Sequence, residues 1–238
     1  MQRYFVDISN NLITFKQDDV FHISKVMRFK SGDEIQLVDK ATHQVFLAVI
    51  DSFNPLMVHI QERINENSEL PKEVTLFFAL AKSDKNELVI QKATELGASR
   101  VVLFQGERSI VKLSADDFSR KRSRYEAIVK EASEQCHRNV IPDIVYVDNI
   151  KKIESYLSDV NFFAYELEAG KATNLEKTIQ SVSKSISVII GPEGGFSPLE
   201  AEYLKSIGFL PISLGNRIYR CETAAIYALS VIAHILEK

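Results

Sequence analysis

The chain has 238 residues, of which 45% are hydrophobic and 26% are charged, with nine glycines and six prolines. This composition is typical of a globular protein and excludes collagen, low-complexity disorder and a coiled-coil rod. The length suits one large domain or two modest ones, either of which buries a substantial core. The formal net charge of −3 excludes a strongly basic protein, although a local basic patch is enough to bind a polyanion.

Cysteine and histidine usage indicates neither a disulfide scaffold nor a metal site. The two cysteines, Cys136 and Cys221, have no metal-binding or redox spacing, and the five histidines are scattered. Sparse cysteine suits a reducing compartment. The N-terminal segment lacks the apolar core of a secretion signal, and no run approaches the roughly 18 apolar residues of a membrane span. We therefore expect a cytoplasmic protein that has no metal and no membrane association.

Short strands dominate the first 64 residues. They are rich in Val, Ile, Leu and Phe, are separated by turn residues, and are predicted at 3–6, 12–15, 34–38, 44–50 and 57–64. One helix is predicted over residues 18–28, where the apolar side chains fall on one face. Closely spaced strands of this kind favour a small β-barrel.

Residues 65–72 are polar, lack periodicity and contain a proline, which predicts a domain boundary. We accordingly expect a first domain over residues 1–70 and a second over 71–238. In the second, strands alternate with helices, a pattern that predicts a mostly parallel α/β sheet. The predicted strands are 74–80, 100–104, 144–147, 162–165, 187–190 and 211–214, and the predicted helices are 84–96, 117–137, 150–157, 173–184 and 223–236.

A glycine-rich loop at 191–195 follows one of these buried strands. It holds three glycines and a proline, and glycine lets a backbone approach a ligand closely. Ser197, Pro198 and Glu200 then predict a helix that begins with a capping box. The loop lacks the spacing of a Walker loop and of the G-x-G-x-x-G fingerprint, so phosphate binding is not indicated. A ligand-binding loop is favoured over a plain tight turn.

A second loop, 214–220, carries Arg217 and Arg220 and leads to Glu222 at the start of the last helix. It follows a predicted strand, so it lies at the carboxyl edge of the sheet, where α/β proteins place their ligand crevices. The competing interpretation is a solvated loop in which Glu222 and Thr223 only cap the helix. The residues of this loop alone leave the two interpretations equal.

Basic residues cluster in both predicted domains. They are Lys25, Arg28 and Lys30 in the first domain and Arg120, Lys121, Arg122, Arg124, Lys130 and Arg138 in or just after the helix predicted at 117–137. Such clusters are usually solvated faces. Their presence in both domains is also compatible with an RNA-binding track.

Motifs spread over nearly the whole chain resemble one family. The two loops read G-P-E-G-G-F-S from Gly191 and L-G-x-R-I-x-R-x-E-T-A from Leu214. The other motifs are K-A-T-E-L-G from Lys92, E-R-S from Glu107, E-A-S-E-Q-C-x-R from Glu131 with Pro142 after it, and H-I-x-K-V-M-R from His22. Together they resemble the RsmE family, bacterial 16S rRNA uridine N3-methyltransferases of the SPOUT superfamily.

The resemblance implies a fold, a cofactor and partners. The N-terminal domain is expected to be a PUA-like β-barrel that helps to hold RNA, and the C-terminal domain a SPOUT α/β fold with a deep trefoil knot. The implied cofactor is S-adenosylmethionine, bound in the knot of a homodimer. The implied substrate is uridine 1498, in the family's RNA numbering, of the 16S rRNA in the small ribosomal subunit. Periodicity does not predict the knot, because knotted chains are rare.

On this basis we assign candidate site residues. Cofactor binding, largely through the backbone, is predicted at Gly191, Glu193, Gly194, Gly195, Leu214, Gly215, Ile218 and Tyr219. Arg217 and Arg220 are candidates for contacting phosphate or stabilising negative charge on uracil oxygens, and Glu222 is the candidate base. RNA contacts are predicted at Arg3, Lys25, Arg28, Lys82, Arg108 and Arg138.

Other functions stay open at this point. Tyr219 and Cys221 differ from the residues common in the family, which leaves room for a non-catalytic RNA-binding protein of the same fold. A different nucleotide-dependent α/β enzyme would use the glycine-rich loop, although the missing phosphate motifs count against it. A ribose 2′-O-methyltransferase of the same superfamily is the third alternative.

Overall fold

A computed structural model describes residues 1–9, 12–165, 175–181 and 184–238. The chain separates into two compact units, the first made of Met1–Glu69 with Ser133–Val140 and the second of Leu70–Ala132 with Ile141–Lys238. The division after Glu69 lies one residue before the predicted boundary. No sequence pattern predicts that the chain returns to the first unit at Ser133.

The first unit is built on a mixed five-stranded sheet that curls. Its strands are β1 (Arg3–Ser9), β2 (Leu12–Thr14), β3 (Glu34–Asp39), β4 (Val45–Phe53) and β5 (Leu56–Ile64), in the order β2-β1-β3-β4-β5. Strands β1 and β3 pair in parallel and the other neighbours pair antiparallel. Register shifts between β4 and β5 mark bulges, which bend a strand pair. All five strands predicted in this region are present.

The helix predicted over 18–28 is shorter and less regular than expected. Helix α1 (Gln17–Phe21) runs directly into a π-helical turn, His22–Val26. In that turn the amide of Met27 donates to the carbonyl of His22. Ile23 is buried and joins the apolar core of the sheet, so the turn is held by long-range packing as well as by its own hydrogen bonds.

Two arginines that we predicted to bind RNA are buried inside the first unit. Arg3 is 1% exposed and donates to Gln36 Oε1 at 2.8 and 3.0 Å and to Glu66 Oε2 at 2.7 Å. Arg138 is 3% exposed and forms an ion pair with Glu69. Both guanidinium groups are occupied by protein acceptors and shielded from solvent. The prediction that these two arginines contact RNA was therefore wrong.

The second unit contains a six-stranded, all-parallel sheet with the order β11-β9-β10-β6-β7-β8. Its strands are β6 (Glu73–Ala79), β7 (Arg100–Phe104), β8 (Asp143–Val147), β9 (Val160–Ala164), β10 (Ser185–Ile190) and β11 (Phe209–Ile212). Its helices are α2 (Ser83–Glu95), α3 (Ala115–Gln135, with the last turn in the first unit), α4 (Leu175–Ser181), α5 (Pro198–Ser206), α6 (Cys221–Leu236) and a 3-10 helix at Ile150–Tyr156. The helix predicted over 173–184 corresponds to α4. Of the predicted residues that lie beyond α4, 173–174 and 182–183 are outside the described residues, whereas 184 is described and is not helical.

Apolar cores cover both faces of this sheet. Alternate residues of β6 point to opposite faces: Leu76 and Phe78 pack in the cluster that contains α2, α3, α4 and α6, whereas Phe77 and Ala79 pack in the cluster that contains α5 and the 3-10 helix. Because both faces are covered, the strands are mainly apolar and do not alternate between apolar and polar residues. The fold is therefore the predicted α/β class, with a parallel sheet and helices on both faces.

Candidate active site

The glycine-rich loop joins β10 to α5 at the carboxyl edge of the sheet. Ser197 is the N-cap of α5: its hydroxyl accepts from the Glu200 amide at 3.2 Å, and Glu200 Oε2 accepts from the Ser197 amide at 2.8 Å. This confirms the predicted capping box, with Pro198 in the first turn. These local hydrogen bonds therefore fix the start of α5, and with it the C-terminal end of the glycine-rich loop.

The second loop joins β11 to α6 at the same edge. Gly215 has a φ of +117°, a conformation that residues with a side chain rarely adopt. Its amide donates to Ser213 Oγ at 3.2 Å, which fixes the turn. Helix α6 begins at Cys221, two residues before the predicted start, with Arg220 as its N-cap.

The two loops line one cavity of about 690 Å³, a size typical of small-molecule and cofactor sites. All eight residues predicted to bind the cofactor line it: Gly191, Glu193, Gly194, Gly195, Leu214, Gly215, Ile218 and Tyr219. The candidate catalytic residues Arg217 and Arg220 also line it, and both are exposed. Apolar side chains such as Ile190 and Phe196 and the charged side chain of Lys85 complete the wall.

Lys85 is a site residue that the sequence analysis missed. It belongs to the first turn of α2, just after the carboxyl end of β6, and its Nζ lies 3.4 Å from Glu193 Oε1 and 3.3 Å from Glu222 Oε2. Burial lowers the pKa of Lys85, but the hydrogen bond to Glu222 and the nearby negative charges outweigh burial and raise the pKa overall. The rule that ligands bind at the carboxyl ends of parallel strands would have indicated this segment.

Glu222 has its carboxylate bound on several sides. It accepts from Lys85 and, at 3.2 Å, from the Cys221 thiol. Burial raises the pKa of Glu222, but its own backbone amide, the Cys221 thiol and Lys85 outweigh burial and lower the pKa. The group is therefore a carboxylate at neutral pH. Glu222 is not among the described residues that line the cavity, which Lys85 and Cys221 do line.

Arg108 contacts the glycine-rich loop from the segment after β7. Its guanidinium donates to the carbonyl of Gly194 at 3.1 Å and to that of Phe196 at 3.4 Å. A Cβ added at Gly194 would lie 3.1 Å from the Arg108 Cβ, so the close approach of these two residues favours glycine. Arg108 therefore supports the loop and lines the cavity, and its exposed position is compatible with the predicted RNA contact.

An aromatic pair holds the second loop against α6. The rings of Tyr219 and Tyr227 stack with centroids 5.5 Å apart, and Arg217 donates to the Tyr219 hydroxyl at 2.9 Å. The side chain at Tyr219, which departs from the family pattern, thus has a structural contact of its own. Ile218 between them is 86% exposed.

The remaining predicted RNA contacts are solvent-exposed. Lys82 precedes α2 in the second unit, while Lys25 and Arg28 follow α1 in the first. Arg28 has a φ of +55°, which is uncommon for a residue with a side chain. Their exposure leaves all three available to a polyanion, and their role stays a prediction.

Within the described residues, no helix is both long enough and apolar enough to cross a membrane. In the same part of the chain, His, Cys, Asp and Glu side chains do not gather into a group of three or more that would hold a metal ion.

A parallel α/β sheet with a cavity at its carboxyl edge, lined by a glycine-rich loop, defines a protein that binds a nucleotide-like ligand or cofactor. Comparison with known proteins identifies the family. Residues 68–233 match the model of the RNA methyltransferase domain, and the chain belongs to this family.

The similarity to individual proteins extends over the whole chain. It is 36% identical to ribosomal RNA small subunit methyltransferase E of Bacillus subtilis, covering 100% of this chain and 98% of the relative. A solved structure from Legionella pneumophila, in complex with the bound cofactor SAM, is 28% identical with a TM-score of 0.86, covering 98% of this chain and 96% of that one. The crystal structure of a ribosomal RNA small subunit methyltransferase E from Neisseria gonorrhoeae, bound to S-adenosyl methionine, has the same fold: it is 24% identical with a TM-score of 0.85, covering 99% and 98% of the two chains.

Proposed function

We propose that this protein is an S-adenosylmethionine-dependent methyltransferase that modifies N3 of one uridine, position 1498 in the family's numbering, in 16S rRNA of the small ribosomal subunit. The observation that carries the proposal is that both motif loops line the same cavity. The full-length identity to a ribosomal RNA small subunit methyltransferase supports the choice of substrate. Such an RNA is a cytoplasmic substrate, so the protein is proposed to act in the cytoplasm.

The residues of the cavity fit S-adenosylmethionine. The volume of about 690 Å³ is in the range of cofactor sites, and the wall combines apolar side chains with loop backbone and a few charged groups. The cradle is assigned to Gly191, Glu193, Gly194, Gly195, Leu214, Gly215, Ile218 and Tyr219. The structure from Legionella pneumophila holds this cofactor in a related fold at 28% identity, which supports the assignment.

The cofactor supplies an electrophilic methyl group, and the protein supplies binding and orientation. N3 of neutral uracil carries a proton, so the site must expose the base, align N3 and help to remove the proton. Arg217 and Arg220 are exposed cations on the cavity wall. They are proposed to contact RNA phosphate or to stabilise the negative charge that develops on the uracil oxygens.

Glu222 is proposed as the proton acceptor. Its lowered pKa keeps it ionised at neutral pH, and its partner Lys85 reaches the cavity wall. Glu222→Gln keeps an oxygen that accepts from Lys85 but cannot take a proton. We expect most of the turnover to be lost while cofactor affinity stays within about threefold of the wild type. Unchanged turnover would remove Glu222 from this role.

The finer description of the fold belongs to the same proposal. Residues 1–70 are proposed to form a PUA-like β-barrel that binds RNA, and residues 71–238 a SPOUT domain with a deep trefoil knot that works as a homodimer. The curled sheet of the first unit and the placement of β11 beside β9 are compatible with these folds. Stretching single molecules from both ends tests the knot, because a knotted chain stops short of its full contour length. Light scattering tests the dimer.

Mass mapping of 16S rRNA tests the function itself. RNA from cells that lack this gene is compared with wild-type RNA and with the same RNA after treatment with purified protein and S-adenosylmethionine. We expect one uridine to lose a base methyl group in the mutant and to regain it in vitro. A missing methyl group on a ribose oxygen, or no difference between the RNAs, would refute the proposal.

A further inference from the structure

Lys85 lies where three segments that are distant along the chain meet. It is in the first turn of α2, whereas Glu193 lies in the glycine-rich loop and Glu222 in the first turn of α6. The ammonium group is 3.4 Å from one carboxylate and 3.3 Å from the other. One side chain therefore joins the glycine-rich loop to the start of α6, which directly follows the second loop.

We propose that Lys85 is a positioning residue that holds the glycine-rich loop and the start of α6 in the arrangement that binds the ligand. The effect of Lys85 on cofactor affinity rests on the proposed function. Its effect on the order of the two segments in the ligand-free protein does not.

The partial burial of the three groups gives this link its strength. The side chains of Lys85, Glu193 and Glu222 are 21%, 24% and 15% exposed. Charges at such sites are less screened by water than those of a surface pair, so their attraction is stronger. Both pairs share one cation, so replacing Lys85 removes the ion-pair partner of both carboxylates at once.

The other charged groups around the cavity have different contacts. Arg108 donates to backbone carbonyls of the glycine-rich loop, and Arg217 donates to Tyr219. Arg220, the N-cap residue of α6, is exposed. The Cys221 thiol faces Glu222, and burial, as the main cause, raises its pKa to about 12, so it is neutral at physiological pH. Lys85 is therefore the cation that links the two carboxylates.

The fold itself does not depend on this link. Helices α2 and α6 pack directly against each other, and Val89, Ala93, Ala225 and Leu229 belong to one apolar cluster. Burial of such side chains is the dominant source of stability, so the packing of these two helices does not need the ion pairs of Lys85. Replacing Lys85 is thus expected to loosen the two loops and to leave the rest of the second unit intact.

Amide hydrogen exchange on the full-length protein without ligand tests the link. Lys85→Met removes the charge, Lys85→Arg restores it, and Lys92→Met is the matched control, since Lys92 lies on the same helix, pairs with Glu95 at 2.8 Å and does not line the cavity. We expect exchange at residues 191–197 and 215–222 to be several-fold faster in Lys85→Met alone, with unchanged protection of the sheet. Equal exchange in Lys85→Met and wild type would overturn the proposal, and so would faster exchange throughout the second unit.

Calorimetric titration with S-adenosylmethionine then measures the effect on binding. We expect Lys85→Met to bind about tenfold more weakly, equivalent to about 1.4 kcal/mol, and Lys85→Arg and Lys92→Met to stay within about threefold of the wild type. Unchanged affinity in Lys85→Met would contradict the proposal. If the wild-type protein binds no S-adenosylmethionine, the proposed function fails, and the exchange experiment still decides the role of Lys85.

Discussion

Replacing Arg3 by methionine is expected to destabilise the first unit strongly. The guanidinium is 1% exposed and donates to the side chains of Gln36 and Glu66 and to the carbonyl of His137. Methionine fills much of the volume but donates no hydrogen bond. The buried Gln36 Oε1 loses the Arg3 donor, and leaving a buried acceptor unsatisfied is the costly part of such a change.

The size of the effect follows from these contacts. Removing one partner of a buried ion pair costs about 3–5 kcal/mol. Glu66 is 49% exposed and regains water when Arg3 is absent, so we expect the lower end, about 3 kcal/mol. For a domain of this size, each kcal/mol lowers the melting temperature by about 4–8 °C. A fall of more than about 10 °C is therefore expected for the first unit.

Scanning calorimetry measures the fall, and amide exchange in β1 and β3 assigns it to the first unit. The control is Arg122→Met, since Arg122 is 62% exposed and forms an i,i+4 pair with Glu126 on the helix surface. Its expected cost is within about 0.5 kcal/mol. Equal stability of the Arg3 and Arg122 variants would refute the reasoning. Unchanged stability together with weaker RNA binding would return Arg3 to the RNA-contacting residues.

Arg28→Gln is expected to weaken RNA binding and to reduce the slope of log affinity against log salt concentration by about 0.7–0.9, the value of one phosphate contact. The control is Arg63→Gln, another exposed arginine of the first unit. If both variants bind RNA with the same affinity and the same salt dependence, Arg28 is not part of the RNA-binding track. The Cys221 thiol, whose pKa burial raises to about 12, is only about one part in 10⁴ thiolate at pH 8 and becomes charged only as the pH nears that value. Iodoacetamide should therefore modify the half-buried Cys136 first, and peptide mass spectrometry showing equal rates would contradict this. Gly215→Ala places a residue with a side chain at a φ of +117°. We expect this strain to lower the free energy of unfolding by about 1–3 kcal/mol and to weaken cofactor binding. A thermal unfolding curve equal to that of the wild type would show that Gly215→Ala causes no strain.

Local patterns predict the strands and the two loops well. Strand β6 is mainly apolar and follows a polar linker, and both features are visible within a few residues of sequence. The capping box at Ser197 and Glu200 is likewise local, since its partners are three residues apart. Signals of this range need no knowledge of the tertiary fold.

Long-range contacts account for what the patterns missed. The sequence does not show which group an arginine pairs with, so Arg3 and Arg138 were assigned to RNA. Their ion-pair partners, Glu66 and Glu69, lie in the predicted linker. Lys85 was missed because its two partners lie far along the chain. In the π-helical turn after α1, His22 forms a hydrogen bond of 2.9 Å with the Tyr4 hydroxyl. Helical periodicity in the sequence does not predict this contact with a distant strand.

The division of the first unit into two stretches of chain sets the order in which its contacts form during synthesis. Arg3 donates to groups of residues 137–139, and the Asn139 amide nitrogens donate to Glu66 and Glu69, so these bonds join the two stretches. During translation the N-terminal strands therefore emerge long before their last partners exist. A fragment that stops at Glu69 lacks those hydrogen-bond partners, so we expect it to be less stable than the same strands in the full chain.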